Sequence, residues 1–304
     1  MHVMNPQSFL FTCHPFTWAW VLLACAWAVL WMPERRSKSI VAWGLVVAGF
    51  SIMLVGFSCR MMIARRAPVT NMYESILWAA LGIVLFAMVF QARHRSHSVF
   101  QCALPVAVAA LILADSHIFD TSLQPLPPIL RSPFWLVTHV ISITLSYAAF
   151  ALAMGCGHWI ICQRWRGKSV SLTQTLHRTL QIGVGLLAIG ILLGGFWAQS
   201  AWGRFWGWDP KETWALITLL CYLAVLHGKI AGWWGSFGLA VGSILAFQAV
   251  LMAWYGVNFL LGQGLHSYGF GSGGFRYVLC FGLAEGLFVT AAFVFSKDTI
   301  QHQI

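Results

Sequence analysis

The sequence predicts an all-α protein, a polytopic bundle of about nine membrane-spanning helices. Three observations carry that reading: composition, the length of the apolar runs, and the placement of basic residues. Hydrophobic residues fill 59% of 304 positions and charged residues 9%, more apolar side chain than one globular core hides. The polar residues are too few and too dispersed to clothe a water-soluble domain of even ~100 residues, which excludes a cytosolic enzyme and a fibrous or disordered chain. Lys and Arg outnumber Asp and Glu by 18 to 8, which in a soluble protein would suggest nucleic acid. Here the basic residues sit in short clusters between apolar runs, the pattern of cytoplasmic loops, so membrane lipid is the expected partner and nucleic acid is not.

Apolar runs at about 16–33, 40–58, 72–90, 134–162, 179–197, 214–228, 235–256 and 277–295 can each cross ~30 Å as a helix. The run at about 99–114 contains Pro105 and is marginal, yet the alternation of sides fails without it. In lipid only helices and closed barrels satisfy their backbone, and these runs are too long for barrel strands. Placing the N-terminus outside puts Arg35, Arg36, Lys38, Arg93, Arg95, Arg164, Arg166, Lys168, Arg178, Lys229 and Lys297 on the cytoplasmic side, with the C-terminus. Arg60, Arg65 and Arg66 break the rule and face outward, where either lipid headgroups or an anionic ligand can use them. Asn71 to Glu74 and Asp209 to Glu212 read as capping boxes, and Ser132-Pro133 as a cap and first turn. The positive ends of these helices make the outer rim favourable for carboxylates. No basic segment precedes the first apolar stretch, so that stretch is expected to stay as an anchor. The eight cysteines show no Cys-x-x-Cys spacing and read as buried thiols; Cys13 and Cys59 both lie toward the outer face, and a bridge between them is the alternative reading.

The densest signal is Trp202-Gly-Arg-Phe-Trp206-Gly-Trp208-Asp209-Pro-Lys-Glu-Thr-Trp214, between two spans on the outer side. Capping accounts for Asp209 and Glu212. It does not account for four tryptophans and two glycines in thirteen residues, more than an interfacial belt needs. Glycine lets backbone lie flat beside a planar face, and indoles supply broad rigid apolar surface. The combination suits a large flat aromatic ligand with anionic edges, for which haem is the candidate.

Haem iron takes axial ligands, so the histidines sort by depth. His139 lies in the first turns of its span and His266 in the outer loop after the 235–256 run; the two flank the tryptophan segment in sequence. His227 follows Trp214 by thirteen residues, roughly 20 Å deeper at 1.5 Å per residue, and cannot reach the same iron. His158 lies about 28 Å along its helix from His139, also toward the inner boundary. His94, His97, His177 and His302 fall in polar inner segments, and His2, His14 and His117 at the outer surface. A b-type cytochrome subunit of a quinol oxidoreductase is an alternative reading, but it would pair histidines at similar depth on facing helices. A non-catalytic transporter of haem or another aromatic anion is a second alternative.

WGRFWGWDPKETW resembles the tryptophan-rich signature of the haem-handling membrane proteins of cytochrome c biogenesis, and its ending resembles the system II cytochrome c synthases, the CcsA or ResC family. PVTNMYES (68–75), WLVTHVISITLSYAA (135–149) and VNFLLGQGLHSYGF (257–270) match that family in order, so the likeness covers about residues 40–270. Phe205 and Gly207 depart from the Tyr and Asn often found there. The 277–295 span looks like an extension absent from shorter members. The resemblance implies that His139 and His266 ligate a haem b held on the outer or periplasmic face over Trp202, Trp206, Trp208, Asp209 and Trp214. It implies that His227 is one ligand of a haem crossing the membrane, the other coming from a separate ResB, CcsB or Ccs1-like subunit. The implied activity is that of a holocytochrome c synthase-type lyase. It exports haem and joins its vinyl groups to the two thiols of an apocytochrome c Cys-x-x-Cys-His motif. On this view Arg60, with Arg65 and Arg66, becomes a candidate partner of haem propionates. An Ala-rich, Lys-poor composition leans toward a bacterial cytoplasmic membrane over a thylakoid. The expected organisation is one integral membrane domain, 1–304, with the haem-binding segment at 199–214.

Overall fold

The computed structural model describes residues 10, 12–33, 36–94, 97–116, 118–123, 133–168, 172–262 and 274–301. The described residues form α1 (Pro15–Val29), α2 (Arg36–Ala64), α3 (Met72–His94), α4 (Ser98–Asp115), α5 (Pro133–Trp165), α6 (Thr173–Trp202), α7 (Pro210–Ile230), α8 (Ser236–Leu251) with a π-helical continuation (Met252–Leu261), and α9 (Phe275–Gln301). The all-helical class is as the apolar runs predict. Eight of these helices are long and apolar enough to cross a membrane, α8 counted with its continuation. The first run gives a shorter helix: α1 has 15 residues and ends in a turn at Trp31 and Met32, before Pro33.

The chain divides into two compact units, Met1–Ala148 and Ala149–Ile304, the division falling within α5. In the first unit α1 packs on α2 and α4, and α3 packs on α4. The marginal run forms α4 without interruption despite Pro105. Proline lacks an N–H, so the carbonyl of Gln101, four residues back, loses its helical donor. Trp27 of α1 supplies a replacement, its indole N–H donating to Gln101 O at 3.1 Å. In lipid such an orphan carbonyl costs several kcal/mol, roughly, so this contact explains how a proline-bearing helix can serve as a span. The end of α4 is also tied to α1, since Asp115 accepts from Thr17 Oγ1 at 2.9 Å and Trp20 Nε1 at 3.2 Å.

In the second unit α7 packs against α6, α8 and the π-helical segment, and α9 packs on α8. Phe150 and Tyr222, both fully buried, stack at its centre. α9 presents a largely exposed apolar surface, including Leu283 and Leu287, as a lipid-facing helix does. It also carries the buried Glu285. Cys13 and Cys59 are free thiols, with no bridge between them.

Candidate functional site

Helix α6 stops at Trp202 because Gly203 takes a left-handed conformation, φ 71°, which glycine adopts without steric cost. Helix α7 starts at Pro210 with Asp209 as N-cap, its Oδ1 accepting from Lys211 N at 2.9 Å. The capping box read from the sequence is present, and Glu212 does more than close it. Its Oε2 accepts from Asp209 N at 3.1 Å and Gly207 N at 2.8 Å, while its Oε1 accepts from Arg204 Nη1 at 3.1 Å. One carboxylate thus gathers two backbone N–H groups and a guanidinium from the preceding turn.

Between these fixed points Trp208 takes φ 57°, the left-handed region, which costs a bulky side chain about 1–2 kcal/mol. Trp208 is 70% exposed, while Trp206 meets it edge-on, ring centres 5.7 Å apart and planes at 89°. Trp202, half-buried, leans on Trp197 at 5.8 Å, with the Arg204 guanidinium 5.9 Å above its ring. Trp214 is half-buried one turn into α7, and Asp209 is buried. A Cβ at Gly207 would collide with the Arg204 guanidinium.

The histidines separate by what their rings already do. His139 stands near the start of α5, half-buried, in the first unit. His266 lies outside the described residues, beyond the π-helical segment, which ends at Gly262 with φ 56°. His227 is exposed on α7, with Nδ1 2.7 Å from Leu223 O. A carbonyl only accepts, so Nδ1 carries the hydrogen and Nε2 presents its lone pair. Leu220, Ala224, His227 and Ile230 are all exposed and recur at helical spacing, placing Nε2 on an outward stripe of α7. The His158 ring lies between two oxygens: Nδ1 is 2.9 Å from Met154 O and Nε2 2.8 Å from Glu285 Oε2.

Arg60 is buried at the end of α2. Its Nη2 donates to Glu74 Oε1 at 3.0 Å and to Thr121 O at 3.2 Å, and its Cζ lies 4.9 Å over the Tyr73 ring. Arg66 Nη1 shares the same carboxylate at 3.1 Å, and Thr70 N donates to it at 2.9 Å. Asn71 caps α3 as expected, accepting from Glu74 N at 2.7 Å, but the Glu74 side chain reaches Thr70 and the two arginines. Arg60 Nε is buried without a hydrogen-bond partner among the described residues. Thr121 O is held toward Arg60 by a turn in which Ser122 N and Oγ each donate to Asp120 at 2.8 Å. Those two bonds hold the Asp120 carboxyl below the usual range.

Sequence reasoning gave no role to Arg204, and its reading of Lys211 went no further than the capping box. Lys211 Nζ donates to Asn258 Oδ1 at 3.4 Å, which ties the start of α7 to the π-helical segment leading toward residue 266. Asn258 is held in turn by its own donation to Trp254 O at 2.7 Å. The signal was the lysine inside the signature, whose partner lies 47 residues away and is invisible to local spacing.

Residues 69–266 match a family described as Cytochrome C assembly protein. The chain is 32% identical to the cytochrome c biogenesis protein CcsA of Prochlorococcus marinus subsp. pastoris, covering 78% of this chain and 85% of that one. It is 31% identical to CcsA of Mesostigma viride, over 74% of this chain and 85% of that one. Similarity to protein NrfI of Wolinella succinogenes is 32% over 82% of this chain, which spans 28% of NrfI. Among solved structures, one titled cytochrome c haem lyase CcmF shares the fold with TM-score 0.67 at 16% identity, over 98% of this chain and 52% of that one. With the model match covering well over half its length and CcsA relatives above 30% identity, the chain belongs to the cytochrome c assembly protein family.

Proposed function

We propose that this membrane protein carries haem outward and presents it for covalent attachment to apocytochrome c, working with a separate ResB/Ccs1-like subunit in a bacterial cytoplasmic membrane. In this reading haem is substrate and cargo. His139 and His266 ligate it on the outer face, and His227 is one ligand on the way across.

The observation that carries the reading is the state of the His227 ring. An imidazole with Nδ1–H bonded to a backbone carbonyl has its orientation and tautomer fixed, and Nε2 becomes the ligating atom. An ionisable side chain within a span is costly unless it serves a site, and this one faces outward from α7. A ligand there completes its coordination from another chain, which is what a partner subunit supplies. Exposed Trp208, with Trp206 set edge-on beside it, offers flat apolar area for a porphyrin. The buried Nε of Arg60, without a partner among the described residues, suits a carboxylate.

In the attachment step each thiol S–H adds across a vinyl C=C, forming a C–S and a C–H bond with no atom lost. The protein's share is placement: porphyrin edge and two sulfurs brought together in one orientation. Co-expression of this chain with a ResB-like subunit and an apocytochrome tests the reading. Covalent haem staining of the cytochrome that needs both chains is the expected result. Haem bound but never transferred would make this a transporter, and reversible redox cycling with a quinol would make it an electron-transfer subunit.

A further inference from the structure

From the hydrogen bonds of residues 204–212 we infer that Glu212 is the positioning residue of the tryptophan loop. It sets the orientation of Trp208 toward the substrate, while the Asp209 side chain caps the helix. The inference rests on the haem-platform reading for its function, but its geometry stands on the loop alone.

Both carboxylate oxygens of Glu212 are committed. Oε1 takes the Arg204 guanidinium at 3.1 Å, and Oε2 takes Gly207 N at 2.8 Å and Asp209 N at 3.1 Å. The two backbone donors bracket Trp208, so its left-handed conformation, φ 57°, is enforced from both sides by one side chain. The Glu212 side chain is 10% exposed and that of Arg204 31%, so the bridge lies at the edge of the unit with its acceptor largely shielded from water. Arg204 in turn fills the space a Cβ at Gly207 would take, and packs 5.9 Å above Trp202. Glu212 therefore connects Trp202, Gly207 and Trp208 in one network, whereas the Asp209 side chain accepts from the first-turn backbone of α7, Lys211 N included. A hydrogen-bonded cap of α7 needs neither Arg204 nor Gly207 N. Their recruitment shapes the loop, and a strained, exposed tryptophan is its result.

A glutamine at 212 keeps the size but cannot accept on both sides. Its amide nitrogen must face either Arg204 or the two backbone N–H groups, and donor meets donor. The test uses protein labelled with 5-fluorotryptophan, purified with its partner, the Trp208 resonance being assigned through Trp208→Phe. In Glu212→Gln the Trp208 fluorine resonance is expected to move or broaden without haem, while that of Trp78 in the first unit stays in place. Haem content is expected to drop about tenfold. In Asp209→Asn the Trp208 resonance is expected to stay in place. Should Glu212→Gln fail to accumulate, Arg204→Gln gives the same readout from a more exposed position. A Trp208 resonance unchanged in the variant that accumulates overturns the inference. A resonance that moves on mutation, in protein whose Trp206 and Trp208 signals ignore added haem, upholds the positioning role and overturns the haem-platform reading instead.

Discussion

Nε2 of His158 stands 2.8 Å from Oε2 of Glu285, joining α5 to α9 through a buried carboxylate. Because Nδ1 gives its hydrogen to Met154 O, the approach of Nε2 to a carboxylate needs one further proton, held by the ring or by the acid. The ring also packs against Phe288, centroids 4.5 Å apart. His227 has the same Nδ1 arrangement, and its Nε2 has no carboxylate beside it among the described residues.

His158→Ala is therefore expected to leave haem loading at the level of the unmodified protein while lowering stability. Glu285 would lose its basic neighbour while still buried, at a cost of about 1–3 kcal/mol. Thermal melts in detergent should show similar losses for His158→Ala and Glu285→Ala, and less than their sum for the double variant. Haem loss specific to His158→Ala would make it the inner ligand.

The proline in α4 gives a second expectation. Trp27→Phe removes the only side-chain donor found on Gln101 O among the described residues and should destabilise the first unit by about 1 kcal/mol. In a Pro105→Ala background the loss should shrink, since the restored N–H of residue 105 takes that carbonyl. Equal losses in both backgrounds would mean the indole acts by packing alone.

Much of this was legible in the sequence, and the limits are physical. Apolar run length gave the helices because lipid leaves backbone no other choice, and both capping motifs sit where Asn71 and Asp209 mark them. The first run was overextended because its apolar character continues through Trp31 and Met32, past the point where the backbone turns ahead of Pro33. Arg60, Arg65 and Arg66 stand out in the sequence as a charge anomaly, but the sharing of Glu74 by Arg60 and Arg66 does not, since Glu74 and Thr121 come from other segments. The same holds for Glu285 against His158, 127 residues apart. Long-range polar pairs leave no periodicity to read.

Within the loop, the variants should rank. Asp209→Asn keeps a cap and should cost a few tenths of a kcal/mol, roughly, whereas Trp206→Ala or Trp208→Ala removes flat surface from the proposed platform. Haem retained per mole of purified complex should be near normal in the first and clearly reduced in the others. The reverse order would put the Asp209 carboxylate in contact with substrate.

His227→Ala should reduce haem at the outer site and cytochrome maturation together, because it removes the proposed crossing ligand and not an outer one. The haem that does arrive should keep a bis-histidine spectrum. Normal maturation in this variant would exclude His227 from the path.

The central proposal is that His139 and His266 ligate haem, and the optical spectrum of His139→Gly and His266→Gly complexes tests it most directly. Each substitution opens one coordination position and leaves room for a small ligand. The account predicts an altered spectrum and weakened maturation in both variants, with added imidazole restoring the six-coordinate form. Spectra and maturation unchanged in both variants would contradict it.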